Sequence, residues 1–406
     1  MTIRKACYSQ ICMLGEKEYV RREDGVWILD EVAVNTLDCA MANSGATLQR
    51  LMPWSPWGEH PEGMKSQFAP YVLIGSNFEL SAWNSWYWPI VRKVVAIGKS
   101  YGITTVWCLA DNCQFHGPTK KWSPWVTNLN GITTLYEKAA HPFFGKFIDK
   151  SILELDEFEP WYSWGNEMPD QFIDVAEKVI FPRLASGKLK PERCTYGATM
   201  QSRDWVWDES DSSWKYLPAN AGALDTLKKR VESVVGEKGK LAIWKEVHGV
   251  GDGPKWSEPG SSLHQSLFWW ARKKDNGIRI WLSNDGSWNG DSECDFEAST
   301  GRRRPSAPRM KMIAETARAY GNDIVIEHLP KGGDLGCQKK TVSAIYEGLN
   351  GKKPEEKYHY EPPLPELPTP PEPEPEPPPP QSCYERFIKG RPFWKWQIGK
   401  FIRCLF

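Results

Sequence analysis

The chain lacks net charge: across 406 residues, 51 Lys and Arg are balanced by 51 Asp and Glu. A balanced chain has no whole-molecule polybasic field, so nucleic acid is not expected as a partner. It has no apolar run of about 18 residues, which excludes a membrane-spanning helix. Residues 1–30 lack the basic-then-apolar order of a secretion signal. The ten cysteines form no CxxC pair and no metal-ligand spacing; they are expected to be reduced or incidental, and neither a metal nor a cofactor is implied. No GxSxG elbow or HExxH helix occurs. Gly98-Lys99-Ser100 is half a phosphate-binding loop, because Lys93 stands where its first glycine belongs. The basic run Arg302-Arg303-Arg304 precedes Pro305 and reads as a solvated loop.

Hydrophobic residues make up 40% and charged residues 25%, enough apolar surface for a large core. Tryptophan is the outlier, at 22 against 15 Phe and 14 Tyr. Its flat faces suit stacking on sugar rings or bases. One boundary stands out. Twelve of the twenty residues from Glu361 to Pro380 are Pro, which makes an extended polyproline spacer. The expected organisation is a folded body over 1–355, a Pro/Glu linker over 356–381 and a basic, aromatic segment over 382–406. That segment carries six basic residues and one acidic, a net +5. With Phe393, Trp394, Trp396, Phe401 and Phe406 it is too apolar for a solvated tail, and docking on a protein assembly (such as a virion) or on an anionic membrane surface is expected. Deleting 382–406 is expected to abolish that association while sparing hydrolysis of a soluble substrate. Unfolding of the truncated chain would overturn the docking expectation.

Within the body, apolar periodicity alternates between strands and helices. Strands are expected at Ala6–Leu14, Ala46–Met52, Thr104–Leu109, Trp161–Trp164, Cys194–Thr199, Leu241–Val247, Ile278–Leu282 and Asp323–Ile326. Helical faces lie between them, such as Ile90, Val91, Val94 and Val95 before Gly102, and Phe172 to Ile180. Eight such units predict an α/β fold, a (β/α)8 TIM barrel. The competing open sheet usually carries a glycine fingerprint after its first strand, and none is present.

Barrel chemistry sits at the C-terminal ends of the strands. Those ends hold Arg50, Asp111-Asn112 with His116, Asn166-Glu167, His248, Asn284-Asp285 and Glu327-His328. Trp54, Trp57, Trp83, Trp205, Trp207 and Trp288 are expected to ring the same mouth. Convergent carboxyls with aromatic platforms describe a carbohydrate site, where one protonated carboxyl donates to the leaving oxygen and a second attacks or activates water.

The segment Trp161-Tyr162-Ser163-Trp164-Gly165-Asn166-Glu167 resembles the strand-four signature of the cellulase-like superfamily of (β/α)8 glycoside hydrolases (clan A type). Leu48-Gln49-Arg50-Leu51-Met52-Pro53-Trp54 is similar to its second strand, and His141-Pro142-Phe143-Phe144 to the approach to strand four. The resemblance spans roughly residues 40–330. It implies Glu167 as general acid/base and Asn166 as a substrate-binding amide. It also implies that Arg50 supports the nucleophile and that His248 contacts substrate. Trp54, His116 and Trp288 join the expected substrate contacts. The chain departs from the superfamily at strand seven, where Asp285 replaces the usual Glu, and at strand eight, where the usual Trp is absent and Glu327 stands nearby. Either Asp285 or Glu327 is the partner carboxylate. Aspartate is shorter by about 1.5 Å, one C–C bond. The outcome therefore stays open between retention, with carboxyls about 5–5.5 Å apart, and inversion, at about 6.5–9.5 Å. The alternative is a non-catalytic, carbohydrate-binding or structural barrel that has lost its nucleophile.

Overall fold

The computed structural model describes residues 5–10, 20–24, 26–53, 68–74, 77–110, 140–165, 172–197, 205–208, 210, 213–216, 229–230, 232–234, 242–246, 279–284, 296–297, 302–303, 307–321, 324–328 and 335–363. Trp54, His116, Asn166, Glu167, His248, Asp285, Trp288 and the segment 382–406 lie outside the described residues.

Eight strands are β1 (Lys5–Gln10), β2 (Ala46–Leu51), β3 (Thr104–Cys108), β4 (Trp161–Ser163), β5 (Cys194–Gly197), β6 (Ala242–Glu246), β7 (Arg279–Asn284) and β8 (Ile324–His328). They hydrogen-bond in chain order as a closed ring, and every pairing is parallel. Parallel neighbours require crossover connections, and the described ones are helical: α1 (Glu31–Asn43), α2 (Tyr87–Ser100), α3 (His141–Leu155), α4 (Phe172–Val179), α5 (Phe181–Ala185), α6 (Ala307–Ala319) and α7 (Leu335–Asn350).

The helices form where the pattern demands them. Asp30 caps α1, its Oδ1 accepting from Ala33 N at 3.0 Å. Ile90, Val91, Val94 and Val95 of α2 are buried as the period requires; each such side chain contributes roughly 1.5–3 kcal/mol relative to exposure. The helix expected from Phe172 to Ile180 ends at Val179, and a new one begins at Phe181 with proline in its first turn. Proline suits a first turn because it has no N–H to donate.

Several tryptophans belong to the core rather than to a ligand site. Trp83, expected at the mouth, is partly buried; it stacks on Tyr71 at 4.6 Å and packs against the core. Trp27, Phe68, Trp86, Tyr87 and Trp88 continue the aromatic chain, which reaches Trp107 of β3 at 6.1 Å. The cysteine expectation also needs correction. Cys337, at the start of α7, is disulfide-bonded, whereas Cys39, Cys108 and Cys194 are free and buried.

After α7 the chain continues as an extended strap. Asn43 Oδ1 accepts from Lys357 N and Tyr358 N, both at 2.8 Å, and Asn43 Nδ2 donates to Tyr358 O at 2.7 Å. The Tyr358 ring meets Tyr101 edge-on at 5.5 Å. The compact unit accordingly runs to Glu361, several residues past the body's expected end at 355.

Candidate active site

Two side chains reveal which way the strands face. Gln49 on β2 donates from Nε2 to Thr105 Oγ1 at 3.0 Å. A Cβ added at Gly98 of α2 would lie 2.3 Å from that nitrogen, so Gln49 turns outward, into the helix layer. Trp107 on β3 also turns outward, donating from Nε1 to Ser151 Oγ of α3 at 3.2 Å. Successive residues of a strand face opposite ways. Arg50, fully buried, and Val106, its register partner, therefore lie in the lumen layer.

Register carries this assignment around the ring. Arg50 pairs with Ser9, and Ser9 with His328, so His328 takes a lumen position at the C-terminal end of β8. Gln49 pairs with Tyr8, Tyr8 with Glu327, and Glu327 with Asn284. Glu327 thus holds an outward register position. Asp285 is the next residue after Asn284 in sequence. Glu246, the last residue of β6, pairs with Ser283, which pairs with Ile326; Ile326 pairs with Cys7, and Cys7 with Leu48. Leu48 lies two residues before Arg50 on the same face, so Glu246 takes a lumen register position near the mouth. In sequence Glu246 stands two residues before His248, where it is expected either to face the mouth or to pair with a nearby cation.

The segment beyond Arg50 is pinned from α2. The Tyr87 hydroxyl donates to the Pro53 carbonyl, and burial pushes its phenol well above the ordinary value, keeping it a neutral donor. Two-stranded antiparallel ribbons follow β1, β2, β5 and β7, all on the mouth side: Val20–Glu23 with Val26–Leu29, Tyr71–Ile74 with Asn77–Trp83, Trp205–Asp208 with Ser213–Tyr216, and Phe296–Glu297 with Arg302–Arg303. Contact of Trp27 with Phe68 at 5.5 Å joins the first ribbon to the residues leading into the second. In the third, Trp205 pairs with Tyr216 and Trp207 with Trp214, so four aromatic positions share one face. Trp205 and Trp207 were expected near the mouth, whereas Trp214 and Tyr216 were missed, although Ser-Trp-Lys-Tyr shows the same two-residue period.

Among the described residues no cluster of three or more His, Cys, Asp or Glu side chains fits a metal ion. Burial pushes the Cys194 thiol up to about 12, so it has no thiolate to offer as a nucleophile.

No protein-family model matches the chain, and no curated protein does. Solved structures do. A GH5-4 broad-specificity endoglucanase from an uncultured bacterium superposes with a TM-score of 0.51 at 11% identity, covering 86% of this chain and 94% of that one. A glycoside hydrolase family 5 enzyme from Prevotella bryantii gives 0.49 at 11% identity, covering 86% and 96%. The endo-1,4-β-D-mannanase of Thermotoga petrophila gives 0.47 at 12%, covering 80% and 88%. The likeness is one of fold. The shared fold is a parallel α/β barrel.

Proposed function

We propose that the chain is a glycoside hydrolase, built on a complete (β/α)8 barrel, that cleaves O-glycosidic bonds of a poly- or oligosaccharide with a pair of carboxyls. The observation that carries this reading is Arg50: a fully buried arginine in the lumen layer, one residue before the C-terminal end of its strand. A guanidinium held there needs acceptors around it and favours an ionised carboxylate nearby. Glu167 is the proton donor and Asp285 the partner that attacks or activates water. Asn166, His116, His248, Trp54 and Trp288 contact the substrate, and Glu246 is a further acceptor for its hydroxyls. The outward register position of Glu327 supports Asp285 over Glu327. The GH5-4 neighbour is named a broad-specificity endoglucanase, which makes glucans the first substrates to try, with xyloglucan and mannan beside them. The segment 382–406, which follows the Pro/Glu-rich run in sequence, docks the enzyme on a protein assembly or membrane surface.

One observation favours a second reading: the Asp at position 285, where the resembled superfamily carries Glu. A barrel that binds glycan without cutting it would explain that change. The test is release of reducing ends from glucan, xyloglucan and mannan by the full chain, beside Glu167→Ala and Asp285→Ala. Release by the unaltered chain and its loss in both variants is expected. Binding of the polymers with no release from any of them would establish the second reading instead.

A further inference from the structure

A cavity of about 290 Å³ opens at the end of the barrel remote from the mouth, lined by Lys99, Gly102, Ile103, Thr104, Phe158, Glu159, Trp161 and Arg193. Its position follows from the strands: Thr104 and Trp161 are the first residues of β3 and β4, and Arg193 immediately precedes β5. Trp161 pairs with Val106, which places it in the lumen layer, where it stays only half-buried. Trp161 is thus partly exposed at the foot of the barrel, and its ring is a flat apolar platform.

The polar groups around it come as matched donors and acceptors. Arg193 Nη2 bonds Glu159 Oε1 at 3.0 Å, and Arg193 Nη1 lies 3.8 Å from Asp156 Oδ1. Lys99 Nζ donates to the Glu157 carbonyl at 3.0 Å. Glu159 is held in the left-handed region at φ 57°, which fixes where its carboxylate leaves the chain. A phosphate entering here would compete with the Arg193–Glu159 pair and meet the Glu159 charge. A neutral polyol would instead accept from Arg193 and Lys99 and donate to Glu159, while laying a C–H face on Trp161. Such a mixture of an aromatic floor and convergent polar groups is typical of small-molecule sites.

We propose that this cavity is a second carbohydrate-binding site, taking a pyranose unit of the substrate polymer at the barrel end opposite the active site. The choice of sugar as ligand rests on the reading of the chain as a glycoside hydrolase. A site there would hold the enzyme on one part of a polymer while the mouth works on another, and linked sites raise effective concentration.

Calorimetric titration of the full chain carrying Glu167→Gln with a β-1,4-glucan or β-1,4-mannan hexasaccharide tests it. Two equivalents are expected to bind, and Trp161→Ala should remove one. Trp161 opens a barrel strand, so a second variant guards against misfolding. Glu159→Gly suits the left-handed backbone, removes the acceptor carboxylate, and should weaken the same equivalent about tenfold, the effect of losing one charged hydrogen bond. Neither change should alter hydrolysis of a short soluble substrate in the otherwise unaltered enzyme. A stoichiometry indifferent to both variants would overturn the proposal, as would displacement of the sugar by inorganic phosphate. Absence of hydrolysis with the Trp161-dependent equivalent intact would overturn the proposed activity and leave this site standing.

Discussion

Glu167→Gln is expected to lower kcat on unactivated glucan or mannan by about 10²–10⁴, the usual contribution of a positioned general acid. The amide keeps the size and much of the hydrogen-bonding of the carboxyl and cannot give up a proton to the leaving oxygen. Binding of the polymer should therefore change little. An aryl glycoside with an acidic leaving group needs no protonation to depart, so its cleavage should fall much less. The same substitution should flatten the alkaline limb of the pH profile, where the unaltered enzyme loses its proton donor. Kinetics on the two substrates check this directly. An equal loss on both would mean that Glu167 does something other than protonate the leaving group, and unchanged activity would remove it from the mechanism.

The barrel was legible because its strands are short, dense apolar runs such as Thr104–Cys108, bounded by glycine or by polar clusters. Burial on both faces gives parallel strands that character. The helices of the first half were legible through faces such as Phe144, Phe147 and Ile148, all fully buried. What escaped notice lay in the connections. The ribbon Val20–Glu23 with Val26–Leu29 carries Asp24-Gly25, a strong hairpin signal, with Asp24 at φ 48°. It went unread because the segment sits between a strand and a helix that already satisfied the expected alternation. The stacking of Trp83 on Tyr71 was not legible, because composition does not say which aromatic ring a tryptophan meets. Glu327 shows a sharper limit. Side chains alternate with a period of two, so a strand end misjudged by one residue swaps lumen for outside. Only the pairing of Glu327 with Tyr8, beside Gln49, reveals its side. The strap was missed for a different reason. Tyr358 is secured by the side chain of Asn43, more than three hundred residues earlier, and no local pattern encodes that contact.

Arg50 is where stability and activity should fail together. Its guanidinium is fully buried, and a buried charge is held only by acceptors that also lose their solvent when the barrel forms. Arg50→Met keeps most of the apolar stem and removes the charge, leaving those acceptors unpaired. Breaking one side of such an arrangement costs about 3–5 kcal/mol, which should appear as a lower urea midpoint with an unchanged slope. Arg50→Lys restores a charge without the planar fork of donors and should recover part of the stability. The functional readout separates support of a carboxylate from mere packing. If Arg50 orients the partner carboxylate at Asp285, Arg50→Lys should lower kcat at least tenfold while leaving KM nearly unchanged, because the loss falls on the reacting group rather than on substrate contact. A folded Arg50→Lys enzyme with full kcat would show that the arginine stabilises the lumen and takes no part in positioning the carboxylate.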